Sequence, residues 1–372
     1  MTKPTSIERD PLYVVAPPIV TNKTKRFGHI IVWGTFALMF LLAIIQFLNT
    51  NEYITFGFKT WRPVLYAYIL WACAIGYSRV LIYGEKGKRT LFVFPAVMFI
   101  LSIVIFPMLF GLYISFTDWN LSSIDGREFN GLDNFYQMIS DPYYWNALKN
   151  MIYYVLAVLV EFAIAFLLAL LLNSQIRGRK FFRIAFLIPL MLSPVAVSWM
   201  VGKSMLEQRF GPVANLGRFL GWETPTFFSS PEIARLTMMC MDAWTFIPLM
   251  IIMLLAGLQA LPKEVLEAAK VDGANKWTMF KNIIFPIMLP VSLTTLVIRI
   301  IFKLKLADII IIVTAGGPGG ATDSVTSFIV REYRDRSNVG YGTLLSFVYL
   351  ILIIIFMTIL IRFVNRWLQR AA

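Results

Sequence analysis

Long apolar stretches, separated by shorter polar segments, run through almost the whole chain. A bilayer core needs about 20 apolar residues per helix. Eight windows reach that length, at about 30–48, 63–83, 91–114, 150–173, 184–206, 235–258, 291–313 and 341–361. A closed barrel would show short strands of alternating character instead. The pattern predicts an all-α integral membrane protein with eight transmembrane helices.

Composition agrees: 58% of the 372 residues are hydrophobic and 15% charged, against roughly a quarter charged in soluble domains. The net charge of +13 does not point to nucleic acid, because the basic residues lie between apolar windows rather than on one patch. Their distribution sets orientation. Of 34 basic residues, 19 fall in the N-terminal tail, 84–90, 174–183, 259–290 and the C-terminal tail, whereas the alternate loops hold 9. Both termini are expected in the cytoplasm. The polar start, with Pro17, Pro18, Lys23, Lys25 and Arg26, shows no cleavable signal peptide. Cys73 and Cys240 lie inside apolar windows and are expected to be small core residues.

Prolines interrupt several windows: Pro95 and Pro107, Pro189 and Pro194, and Pro248. Each is either an ordinary kink or a broken helix lining a path. Intramembrane charges carry more information. Glu161 falls in the fourth window, Asp242 in the sixth, and Arg299, Lys303, Lys305 and Asp308 in the seventh. At ~2.5–3.5 kcal/mol each, four such charges facing lipid would oppose insertion by roughly 10 kcal/mol, so they must face protein or water. At about 100° per residue, Arg299 and Lys303 share one face. Lys305 and Asp308 share another, where an i,i+3 ion pair can form unless that face lines the solute path. Arg299 or Lys303 either pairs with Glu161 or Asp242, or lines a cavity that binds solute. Trp244 could stack on a sugar face or simply pack, and Ser193, Ser198 and Thr245 supply hydroxyls for a path or for helix packing.

Between the sixth and seventh windows the chain turns polar: "EVLEAAKVDGANKWTMFKNIIFPIMLP", Glu264–Pro290. Pro262–Val271 reads as a short helix with Glu264 and Glu267 near its positive end. Gly273 breaks it, a second short helix carries Trp277, Phe280 and Ile284 on one face, and Pro286 and Pro290 close the segment. Such an elbow is either an interfacial amphipathic element or a docking surface for a soluble partner.

Glu267-Ala268-Ala269, then Gly273, Ile283 and Pro286, resembles the EAA loop of binding-protein-dependent ABC importer permeases, with Phe285 where Leu is usual. "LAGLQALPKEVLEAA" and Asp272-Gly273-Ala274 resemble the carbohydrate-uptake, maltose-transporter-type branch, as does "VTAGGPGGATDS" at Val313–Ser324. In the seventh window Arg299, Lys305 and Asp308 match the family pattern, while Phe302 and Ala307 depart from it.

The resemblance implies a bacterial inner-membrane permease subunit for a sugar or polyol-like solute. It implies an N-terminal tail at 1–29, an extra pair of spans at 30–90, a six-span core at 91–361 with its coupling loop at 261–290, and a C-terminal tail at 362–372. The implied partners are a second permease, a dimer of ATPase subunits holding ATP and Mg, a periplasmic solute-binding protein and membrane lipid. No cofactor is expected in this chain itself. Gly316–Gly320 and Gly202-Lys203-Ser204 imitate phosphate loops without the required residues, and His29 has no metal-ligand cluster around it. Enzyme chemistry is not expected. The competing class is an ion-coupled secondary transporter relaying protons or Na⁺ through Glu161, Asp242 and the charges of the seventh window.

Overall fold

The computed structural model describes residues 21–50, 53–124 and 126–371. The start of the N-terminal tail, with Pro17 and Pro18, lies outside the described residues. Among the described residues the regular elements are all helices, joined by loops and turns that carry two isolated bridges, Thr117–Phe129 and Asn120–Asn338. Among the described residues, six helices are long and apolar enough to cross a membrane: Asn22–Thr50, Arg62–Tyr83, Gly87–Ile114, Pro142–Asn173, Pro231–Gln259 and Val339–Gln369. The pair Arg179–Met191 and Pro194–Met205, bent by 98°, would make a seventh span.

The chain divides into two units, one up to Phe110 and one from Gly111. In the first, Asn22–Thr50 packs along Arg62–Tyr83. Buried Gln46 ties down the connecting loop, donating to the Phe58 carbonyl at 3.1 Å and accepting from the Phe58 amide at 3.2 Å. Tyr68 and Ser102 share a hydrogen bond of 2.7 Å between the second helix and the next.

In the second unit, helix starts follow a simple local rule. Asp141-Pro142, Ser193-Pro194 and Ser230-Pro231 each place a capping oxygen before a proline in the first turn. The cap satisfies an orphan N–H, and the proline has none to lose. Asp141 also accepts from Tyr341 at 2.8 Å, which fixes the last helix to this start.

The Ser193 cap explains the fifth window. The first helix ends at Met191 and a new one begins at Pro194, so this proline marks a true break. Pro95, Pro189 and Pro248 instead lie inside helices, and Pro107 sits in Phe106–Ile114 after a π-helical turn. Pro290 likewise lies inside Phe285–Leu304 and does not close the elbow.

The seventh window breaks where no proline stands. Phe285–Leu304 ends, Lys305–Ala307 is non-helical, and Asp308–Val313 resumes. Carbonyls released by a break in a membrane must be satisfied by protein. Leu304 accepts from Thr326 at 3.1 Å and Tyr349 at 2.8 Å, and Leu306 accepts from Ser324. Hydroxyls from later in the chain hold the break open.

Cys73 and Cys240 are free and exposed, not core residues. A lipid-facing helix is apolar on its outside too, so an apolar window does not place a residue in the core.

Candidate functional site

Glu161 lies on Pro142–Asn173, Asp242 on Pro231–Gln259, and Arg299 and Lys303 one turn apart on Phe285–Leu304. These three helices pack together and close the four charges into a ring. Arg299 Nε donates to Glu161 at 2.8 Å and Lys303 Nζ donates to Glu161 at 2.7 Å, while both cations also reach Asp242. Each of the four residues is at most 3% exposed. The Arg299 guanidinium lies 4.7 Å from the Phe246 ring centroid, and Lys303 Nζ lies 5.9 Å from that of Tyr154. Two cations meet two carboxylates, so the ring is neutral. Its low-dielectric setting makes each contact strong and each missing partner expensive.

Lys305 and Asp308 behave differently. The helix has ended at Leu304, so i,i+3 helical geometry does not apply to them, and among the described residues no ion pair joins the two. Both are exposed and line a cavity of about 220 Å³ with Pro194, Asp242, Phe246 and Phe302. Trp244 is also exposed, at 42%. Ser193 is exposed and engaged in its helix cap, accepting from the Ala196 amide at 3.2 Å. Ser198 and Thr245 are buried and donate to carbonyls of their own helices, Pro194 at 2.7 Å and Met241 at 2.9 Å. The structure thus separates the path candidates: a sealed ring and two satisfied hydroxyls on one hand, and Trp244, Lys305 and Asp308 open to their surroundings on the other.

The loop at Val313–Ser324 is clamped onto the same helices. Asn146 donates to the Gly320 carbonyl at 2.7 Å, and Asn150 to the carbonyls of Gly320 and Asp323, both at 3.0 Å. Tyr154 donates to the Thr322 carbonyl at 2.8 Å and Arg235 to that of Ala321 at 3.1 Å. Asp323, 1% exposed, accepts from Arg331 Nη2 at 2.5 Å and Ser327 at 3.1 Å. Burial pushes the Asp323 carboxyl above the usual 3.8, opposed by its Arg331 and Ser327 partners. Gly316 has φ +87°, and a Cβ there would stand 2.2 Å from Arg331 Nη1. The glycine signature is therefore a tight turn around an ion pair. Sequence reading gave the loop its signature but not Asp323, Arg331 or the clamping side chains.

The elbow begins with Lys263–Val271 and stops in a Schellman cap. The Ala274 amide donates to the Ala269 carbonyl at 3.0 Å and the Gly273 amide to that of Lys270 at 3.1 Å, with Gly273 at φ +78°. Asn275 caps the next helix by accepting from Thr278, and Pro286 occupies the first turn of Phe285–Leu304. One face is packed: Leu261, Leu266 and Phe280 lie against Ala165, Phe166, Ala169 and Leu172, and Ala269 is buried. Phe166 meets Phe280 at 5.8 Å and Phe285 at 6.1 Å, and Phe280 meets Phe285 at 5.9 Å. Phe285, the departure from the usual motif, completes this aromatic trio. The other face is open, with Glu264, Glu267, Ala268 and Asp272 exposed, Val271 at 88% and Trp277 at 69%.

The family described as binding-protein-dependent transport system inner membrane component matches residues 11–371. The trehalose/maltose transport system permease protein MalF of Thermococcus litoralis is 30% identical over 275 residues, 74% of this chain and 92% of that protein. The sn-glycerol-3-phosphate transport system permease protein UgpA of Agrobacterium fabrum is 31% identical over 240 residues, 64% of this chain and 81% of that protein. Among solved structures, a bacterial alginate ABC transporter in complex with an alginate pentasaccharide-bound periplasmic protein contains a similar chain. Its TM-score is 0.63 at 22% identity, covering 84% of this chain and 98% of that one, a likeness of fold. With its elbow, its broken spans and a family match along nearly its whole length, the chain belongs to the binding-protein-dependent transport system inner membrane components: it is a permease subunit of an ABC importer, not an enzyme.

Proposed function

We propose that this chain forms part of the translocation path for a sugar or polyol-like solute and is driven through its elbow at 261–290 by a separate ATPase. The solute class follows what its relatives are named for transporting, trehalose/maltose and starch degradation products among them. A periplasmic binding protein would deliver the solute, a second permease would complete the path, and a pair of ATPase subunits would hold ATP and Mg. Counting the bent pair and the broken stretch 285–313 as one span each gives eight crossings. With both termini in the cytoplasm of a bacterial inner membrane, as the basic residues direct, the elbow faces the ATPase.

The two-sided elbow carries this reading. Its inner face is locked to Pro142–Asn173 through the aromatic trio, while its outer face presents Val271, two exposed glutamates and Trp277, which stacks on Phe280 at 5.8 Å yet stays 69% exposed. A lever needs both features, a rigid root and a free grip. Movement at the grip would pass through Phe166 to the helix of Glu161, and through the charge ring to the helices of Asp242 and Arg299. The cavity at Lys305 and Asp308, beside the break, is where that movement would meet solute.

The ion-coupled alternative finds no support: of the six charges it would use, Glu161, Asp242, Arg299 and Lys303 neutralise one another in a sealed ring. Proteoliposomes carrying the assembled complex discriminate the two. Uptake is expected to require ATP on the ATPase side and to survive collapse of proton and Na⁺ gradients by ionophores. Uptake that persists without ATP and stops with the ionophores would refute the proposal.

A further inference from the structure

We propose that Arg183 binds the phosphate of an anionic phospholipid at the cytoplasmic surface of the membrane. Arg183 lies in the first half of Arg179–Met191 and lines a cavity of about 230 Å³ with Leu172, Phe186, Ile251, Leu255 and Gln259. Its Nε and Nη2 are buried without a hydrogen-bond partner among the described residues. A guanidinium carries only donors, and a buried donor without an acceptor is costly. An acceptor from outside the chain resolves that cost.

The geometry selects the ligand. Nε and Nη2 form the side-on edge of the guanidinium, whose two parallel N–H groups match two oxygens of one phosphate or carboxylate. The segment 174–183 adds Arg177, Arg179 and Lys180 and contains no acidic residue, a charge pattern that attracts anionic headgroups. The rest of the lining is apolar apart from Gln259, and Phe182, Ile184, Ile188 and Ile252 stand exposed nearby on the same two helices. A small soluble anion gains nothing from such walls. A phosphodiester with acyl chains gains from both, its phosphate on Arg183 and its chains along the exposed aliphatic face.

The cytoplasmic placement rests on the orientation of the proposed importer, whereas lipid retention is measured without transport or ATP hydrolysis, so the two readings fail separately. The delipidated, fully assembled transporter is titrated with phosphatidylglycerol or phosphatidylcholine, and bound lipid is counted by native mass spectrometry. Phosphatidylglycerol is expected to be retained in preference, with retention weakened about tenfold or more in Arg183→Gln. Arg183→Lys keeps part of the preference, and Arg366→Gln, which removes an exposed charge of the last helix, leaves it unchanged. Millimolar inorganic phosphate is expected not to displace the lipid. A photoactivatable phosphatidylglycerol, applied to the unaltered complex, is expected to label peptides containing Leu172–Leu187 or Ile251–Gln259, a readout that holds even if Arg183→Gln does not assemble. Equal retention of the two lipids, unchanged retention in an assembled Arg183→Gln complex, displacement by phosphate, or labelling confined to other segments would each overturn the assignment.

Discussion

Arg299 donates to Glu161 across 2.8 Å with neither residue more than 3% exposed, and Lys303 shares the same carboxylate through its other oxygen at 2.7 Å. One glutamate thus holds two cations of one helix. Removing it leaves two positive charges against Asp242 alone. Breaking a buried pair in this way costs about 3–5 kcal/mol, whereas removing a balanced pair costs much less. Glu161→Ala is expected to lower the thermal midpoint of the purified complex strongly. Glu161→Leu combined with Lys303→Met leaves Arg299 with Asp242 and is expected to recover most of the loss. A single variant as stable as the unaltered complex would show that the ring carries no net interaction.

A second expectation concerns pH. Burial raises the Asp323 carboxyl above the usual 3.8 and the Glu332 carboxyl above the usual 4.5, with Arg331 and Arg336 respectively opposing. A raised carboxyl means that the folded loop binds more protons than the unfolded chain. Its contribution is therefore full below the unfolded value and is lost as pH rises through the folded one. As pH rises from about 4, over the range in which the buried carboxyl loses its proton, the stability of the unaltered protein relative to Asp323→Asn is expected to fall. Thermal midpoints of both proteins across that range test the sign. A difference that grows with pH would mean that the Arg331 pair outweighs burial.

Several parts of this architecture were legible from local residues. Asp or Ser before Pro142, Pro194 and Pro231 marks a helix start within one turn, a local signal that the apolar windows, which begin at 150, 184 and 235, passed over. Gly273 is legible locally as well. The shared face of Arg299 and Lys303 follows from helical spacing, although spacing alone leaves both acids open as partners. The break at Lys305–Ala307 was not legible. It depends on hydroxyls of Ser324, Thr326 and Tyr349 reaching back to carbonyls some 18 to 45 residues earlier, and no local residue signals it. The Lys305–Asp308 pair that helical spacing allows fails on that break. Asp323 and Arg331 were hidden likewise, since a loop charge shows its burial only once Asn150, Tyr154 and Arg235 close over the backbone beside it.

The aromatic trio at the root of the elbow makes its own test. Phe166, Phe280 and Phe285 meet with centroids 5.8–6.1 Å apart, within the range where aromatic pairs add about 0.5–1.5 kcal/mol beyond buried area. Phe166→Leu and Phe280→Leu are expected to be non-additive by that amount in a double-mutant cycle on thermal stability. Phe285→Leu, which restores the residue usual in the motif, is expected to cost less than Phe166→Ala, since it preserves most of the apolar volume while the alanine opens a cavity worth about 3–5 kcal/mol. Strict additivity of the first two would show that the elbow's root is not a cooperative unit.

Gly273 separates the shape of the elbow from its packing. It sits at φ +78°, yet a Cβ built there meets nothing within 4 Å, so a substitution strains the backbone without clashing inside the chain. An L-residue in that conformation costs about 1–2 kcal/mol, equivalent to a roughly 5- to 30-fold shift in the population of the bent elbow. Asn tolerates left-handed backbone far better than a β-branched residue does. Gly273→Asn is therefore expected to keep much of the ATPase stimulation produced by solute-loaded binding protein, whereas Gly273→Val loses most of it. Both variants should assemble, because the packed face through Leu266 and Phe280 is untouched. Gly273→Val stimulated as fully as the unaltered complex would mean that the bend at this position does not transmit force.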